Sequence, residues 1–178
     1  MLAVLDISQC DGDTPIPADP YRLPTGDGPG GALDRLTSLL TCEGWTLHEL
    51  PLAGTCEGYT DHDRRIIAIG TRLHPAARLV VLLHEAAHAA ARRPQVGEYQ
   101  QHRGVCETEA ESTACMLANL LELNVDASSI SYVAGWSKAD PSVLTTAAKN
   151  VLHAVNAIAA GIGLDDDIEL LADAADVT

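Results

Sequence analysis

The run LVVLLHEAAHAAARR, residues 79–93, sets His84, Glu85 and His88 inside one of the most apolar stretches of the chain. An imidazole or carboxylate taken out of water needs a hydrogen bond, an opposite charge or a metal ion as partner. His84 and His88 are four residues apart, so on a helix they stand one turn apart on one face. Both ring nitrogens can then reach a single ion at about 2.0–2.1 Å, the Zn–N distance. Glu85 falls roughly 100° further round the helix, near enough to take a proton from water at that ion without being a ligand. The chemistry to which this H-E-x-x-H pattern points is metal-assisted hydrolysis.

A catalytic zinc site takes at least one more protein ligand and keeps a position for water. The stretch CETEAESTA, from Cys106, offers candidates. Glu107 and Glu111 share a helical face, whereas Glu109 is turned about 200° from Glu107. Ala110, Ala114, Leu117 and Leu121 form an apolar stripe beside the Glu107–Glu111 line, which assigns that line inward. Glu107 is then the expected third ligand, and Glu111 the acceptor for a ligand imidazole N–H, which fixes the tautomer. The competing reading is an exposed acidic helix start favoured by the macrodipole. Either Glu107 or Glu111 can fill the ligand position on spacing alone. The Cys106 side chain leaves that face by about 100° and is read as core or surface.

These residues need elements to carry them. His74–Pro75 opens a helix with proline at its first position, and the pattern runs to about Arg93, before Pro94. A polar loop, PQVGEYQQHRG, is expected to lead into a second helix, VCETEAESTACMLANLLEL, ending near Asn124. Upstream, Leu33, Leu36, Leu39 and Leu40 have helical spacing, with Gly44 as the stop. WTLHELPL and RRIIAIG read as strands, with turn residues in GYTDHDRR between them. Asp126 can cap a short helix through Tyr132. Asp140–Pro141 opens PSVLTTAAKNVLHAVNAIAAGI, and the acidic tail is expected to form a last short helix. Residues 1–31, crowded with Pro, Gly and Asp from residue 11, are expected to be an irregular arm, followed by a single domain over 32–178.

The 178 residues are 47% hydrophobic, enough for one domain with a sizeable core, and their wealth of alanine with no phenylalanine favours close-packed helices. A formal charge of −14 disfavours general affinity for nucleic acid or anionic membranes. Five cysteines without a CxxC pair fit a reducing compartment. With no basic n-region before Asp6 and no long apolar stretch, a cytoplasmic protein is expected.

LLHEAAHAAA, followed some twenty residues on by ETEAESTACMLANLL, resembles the ImmA/IrrE-type zinc metallopeptidases and the related zincin domain of ArdC-like antirestriction proteins. GYTDHDRRIIAI is similar to the hairpin that precedes the zinc helix in those folds, and YVAGWSKADPSVLTTAAKNVLHAVNAI to their C-terminal helical part. The resemblance spans roughly residues 57–160. It implies an α+β, minimal zincin (gluzincin-like) fold, helix-rich, with a small antiparallel sheet packed on the H-E-x-x-H helix. It also implies Zn²⁺ held by His84, His88 and Glu107, with Glu85 as base. Glu111 stands where many members have Asn or Asp. The separate single-strand DNA-binding domain of ArdC-like proteins is not expected within these residues.

The expected activity is hydrolysis of a protein or peptide substrate, with a strand of RRIIAIG at a sheet edge aligning the extended chain. Tyr99, His102, Tyr132 and His153 are candidate oxyanion donors, with His102 the first choice. Solvated loop or helix packing is the plainer role for each. Cys10, in the arm, is a conceivable thiolate block on the zinc, against the plainer reading of a free cysteine. The rivals from other classes are a zinc-stabilised but inactive interaction module and an acidic protein that mimics nucleic-acid charge.

Overall fold

A computed structural model describes residues 23–91, 98–123 and 141–164. The described residues form an α+β fold of four helices and a three-stranded mixed sheet. In chain order these are α1 (Ala32–Cys42), β1 (Thr46–Leu50), β2 (Gly58–Asp61), β3 (Ile66–Gly70), α2 (Pro75–Ala90), α3 (Glu98–Leu120) and α4 (Pro141–Ile162).

α1 buries Ala32, Leu36 and Leu40, one stripe at helical spacing. It ends where expected. Gly44, at φ 85°, turns left-handed so that its N–H and that of Trp45 return to Thr41 O and Leu40 O. This Schellman stop reverses the chain straight into β1.

The sheet order is β1-β3-β2. β2 and β3 form an antiparallel hairpin, and β1 pairs parallel to β3 in the register Thr46↔Ile66 to Leu50↔Gly70. The sheet is therefore mixed, which corrects the expected antiparallel one. The link 51–57 crosses beyond the end of β3, where Thr71 N–H donates to Leu50 O and Gly70 N–H to Glu57 O. That crossing sends β2 to the far side of β3 instead of back beside β1. A second correction follows: β3, from RRIIAIG, is the central strand, and the edges are β1 and β2. β3 carries the buried Ile67, Ala68 and Ile69, so its apolar run reflects cover on both faces. Asp61 Oδ1 accepts the N–H groups of Asp63 and Arg64 at 3.0 Å each and so shapes the hairpin turn.

α2 lies at the centre of the molecule. Pro75 stands at its first turn, and Ala76 N–H, an orphan donor of that turn, is met by Gly26 O at 3.1 Å. Leu23 packs on the same core, so residues 23–31 of the expected arm dock on the domain. Ten residues of α2 are buried, under β2 and β3 on one side and α1, α3 and α4 on the others. The helix ends at Ala90, with Ala91 already extended, short of the expected Arg93. α3 begins at Glu98, inside the stretch expected to be a loop, and ends at Leu120 before Glu122 at φ 56°. Gly104 is thus helical, in spite of the roughly 1 kcal/mol that glycine costs in a helix interior. The Asp126–Tyr132 helix, the acidic tail and Cys10 lie outside the described residues. Cys42, Cys56, Cys106 and Cys115 are free, and no helix among the described residues is long and apolar enough to cross a membrane.

α1 meets α4 closely at Gly161, where a Cβ would lie 2.5 Å from both Leu39 methyls. Gly161→Ala is expected to destabilise the fold by about 1–2 kcal/mol, since overpacking exceeds the gain in helix propensity. Urea unfolding would show this as a lower midpoint at unchanged slope.

Candidate metal centre

α2 offers His84 and His88 one turn apart, and α3 offers Glu107 and Glu111 one turn apart, on faces that meet. Beside these two lines lie small buried residues, Ala87 of α2 and Ala110 and Ala114 of α3. The Nε2 atoms of His84 and His88 are 3.1 Å apart. Glu107 Oε2 lies 3.5 Å from the first and 3.7 Å from the second. A tetrahedral ion with bonds of about 2.0–2.1 Å spaces its donors by about 3.4 Å, a value these three edges bracket. His84, His88 and Glu107 form a group that could hold a metal ion. Two imidazole nitrogens and a carboxylate oxygen are a donor set that zinc accepts.

His84 Nδ1 lies 3.2 Å from Glu111 Oε2. With Nδ1–H donating there, the Nε2 lone pair is left facing the other two donors, the second-sphere arrangement expected of an imidazole ligand. Burial disfavours the charged form of the His84 ring. Its hydrogen bonds to Glu107 and Glu111, with the charges of Glu85 and Glu111, outweigh that and push its pKa up to about 9. At neutral pH the ring therefore holds a second proton, which a metal ion at Nε2 would have to displace.

Two consequences carry definite signs. Because the folded-state pKa is raised, the stability contributed by His84 is fully present below its ordinary value near 6.5 and is lost as pH rises through about 9. Metal must displace that proton, so zinc affinity is expected to rise about tenfold per pH unit from neutrality and level off near the raised pKa. Chelator-competition titrations at pH 7, 8 and 9.5 would measure the slope, and a flat profile contradicts the assignment of His84.

Glu85 is only 6% exposed. Its carboxylate accepts a hydrogen bond from Thr60 Oγ1 at 2.7 Å, and the same hydroxyl lies 3.1 Å from Glu85 O. Burial raises the Glu85 pKa; His84, Thr60 and His88 pull it down, and Glu107 adds to the rise. Glu85 thus stands beside the triangle of donors as a buried carboxylate inclined to hold a proton. Gly58 makes room for it, since a Cβ there would lie 2.8 Å from Val81 Cγ1 and 2.9 Å from Glu85 Oε1. Neither Thr60 nor Gly58 stands out by residue type for chemistry. A glycine inside a short strand, a mark of close approach, is the one local signal that points to this seat.

Glu109, on the other side of α3, accepts from Asn150 Nδ2 of α4 at 2.9 Å. The Cys106 thiol is half-buried, and burial, followed by Glu109 and Glu107, raises its pKa and keeps it protonated. Tyr99 and His102 sit in the first turns of α3 and not in a loop; their side chains lie outside the described residues. His153 is exposed on α4, and Tyr132 lies outside the described residues. No family model, curated protein or solved structure matches the chain.

Proposed function

We propose that this chain is a zinc-dependent metallopeptidase of minimal zincin type, acting inside the cell on a protein or peptide substrate. The observation that carries the reading is the convergence of His84 Nε2, His88 Nε2 and Glu107 Oε2 at ligand spacing, with the buried Glu85 carboxylate within electrostatic reach of all three. A purely structural metal site has no use for such a base. His84, His88 and Glu107 would hold the ion, and Glu111 would orient His84 through Nδ1.

When bound, zinc supplies Lewis acidity, making water acidic near neutral pH and polarising a carbonyl. Glu85 does the proton work. It takes a proton from the attacking water as the new C–O bond forms and delivers that proton to the amide nitrogen as the C–N bond breaks. Its raised pKa suits both halves, because a carboxyl that holds a proton readily can also hand it on.

The edge strand nearest Glu85 is β2, and it replaces β3 as the strand on which an extended peptide would add. Its ladder supports this. Glu57 pairs with Gly70 through Gly70 N–H to Glu57 O, and hydrogen-bonded pairs alternate in an antiparallel ladder. The main-chain groups of Gly58 and Thr60 therefore point away from β3, toward the outer edge of β2, where no other described strand pairs. The zinc-loaded chain should cleave an unfolded protein, lose that activity to a chelator and regain it with zinc. A chain that holds one zinc yet leaves unfolded proteins intact is a binding module.

A further inference from the structure

We propose that Thr60 is a positioning residue that clamps the Glu85 carboxylate and ties it to the strand on which substrate docks. The inference rests on the peptidase reading and deepens it.

Thr60 has two sets of polar groups that point in different directions. Its main-chain N–H and C=O face the outer edge of β2, by the alternation of the ladder. Its hydroxyl faces α2 and donates to Glu85 Oε2 at 2.7 Å. The other carboxylate oxygen, Oε1, lies over Gly58, at 2.9 Å from where a Cβ would stand, with Cγ at 3.1 Å. The carboxylate is therefore laid against β2, one oxygen bonded and the other set over Gly58, where a Cβ would crowd it. Threonine suits the post because its β-branch stiffens χ1 and holds the hydroxyl in one direction. A glutamate free to change rotamer spends only part of its time facing the ion, and a base misplaced by about 1 Å costs on the order of 10²-fold in rate. A peptide added to β2 hydrogen-bonds the main chain of Thr60 and so steadies the residue that aims the base. Docking and base placement are coupled through one residue.

Thr60→Val keeps the shape and the strand and removes the donor. With zinc stoichiometry unchanged, it is expected to lower kcat by about 10- to 100-fold and leave KM within about twofold, since the bond orients a reacting group and does not hold substrate. Thr60→Ser should stay within about threefold of wild type, and Thr60→Ala should match the valine variant even if the latter folds poorly. A second readout needs no activity. In denaturant unfolding of the full chain, Thr60→Val, Glu85→Ala and the double variant should be non-additive by about tenfold or more in the unfolding constant, as for a hydrogen bond to a charged group. Additive losses, wild-type kcat in the valine and alanine variants, or a serine variant as slow as the valine one each overturn the proposal. A zinc-loaded wild type that cleaves no unfolded protein overturns the peptidase reading beneath it, while the cycle still reports whether the clamp exists.

Discussion

Glu85→Gln is expected to keep one zinc per chain and to lose hydrolysis of an unfolded protein by about 10³-fold, within the range for removal of a general acid–base group. Glutamine preserves the shape of the side chain and leaves an oxygen for the Thr60 hydroxyl, but it cannot take up a proton. The three donors facing the ion are untouched. The same substitution should stabilise the protein. Burial raises the Glu85 pKa, so the ionised carboxylate is disfavoured in the folded state, and a neutral amide escapes that cost. A higher Tm with lower activity is the trade expected at a catalytic position. Assays of cleavage, metal content and thermal unfolding on the same preparation separate the effects. A variant that cleaves as fast as wild type removes Glu85 from the mechanism.

Removing Glu107 is expected to lower zinc affinity by about 10³-fold, an even share of the free energy typical of a structural zinc site divided among its ligands. Glu111→Ala should cost about 10- to 100-fold, the usual effect of losing the partner that orients a ligand imidazole. Glu109→Ala should change affinity by less than about threefold, because that carboxylate is bonded to Asn150 across the α3–α4 contact. The order Glu107, Glu111, Glu109 is more telling than any single value, since all three carry the same charge and sit within five residues of one another. A general attraction of cations to an acidic helix would weaken similarly in each. Competition with a chelator of known affinity gives the order directly, and equal losses in all three dissolve the assigned site.

Much of the centre was legible before any fold was known, because an α-helix turns spacing into geometry by local rules alone. His84 and His88 share a face, and Glu107 shares one with Glu111 but not with Glu109, wherever those helices lie. The starts and stops at Pro75, Gly44 and Pro141 are legible for the same reason. α3 marks the limit of such reading. Its start was hidden because Gly104 and the polar run before it signal a loop, and its end because Glu122 adopts the left-handed conformation that glycine usually marks.

Strand pairing is a different problem. Nothing in Thr46–Leu50 or Ile66–Gly70 says that they pair in parallel, or that the link between β1 and β2 crosses the sheet to leave β3 in the middle. Partners in a sheet are chosen by contacts distant in sequence, and a strand's own residues record its burial but not its neighbour. That choice decided which edge lies against Glu85 and brought Thr60 and Gly58, some 25 residues earlier in the chain, against its carboxylate. The types of the candidate ligands and their helical spacing belong to the sequence alone. The closure of the three donors into one triangle, and the seat of Glu85 on β2, exist only because helix and sheet faces pack together.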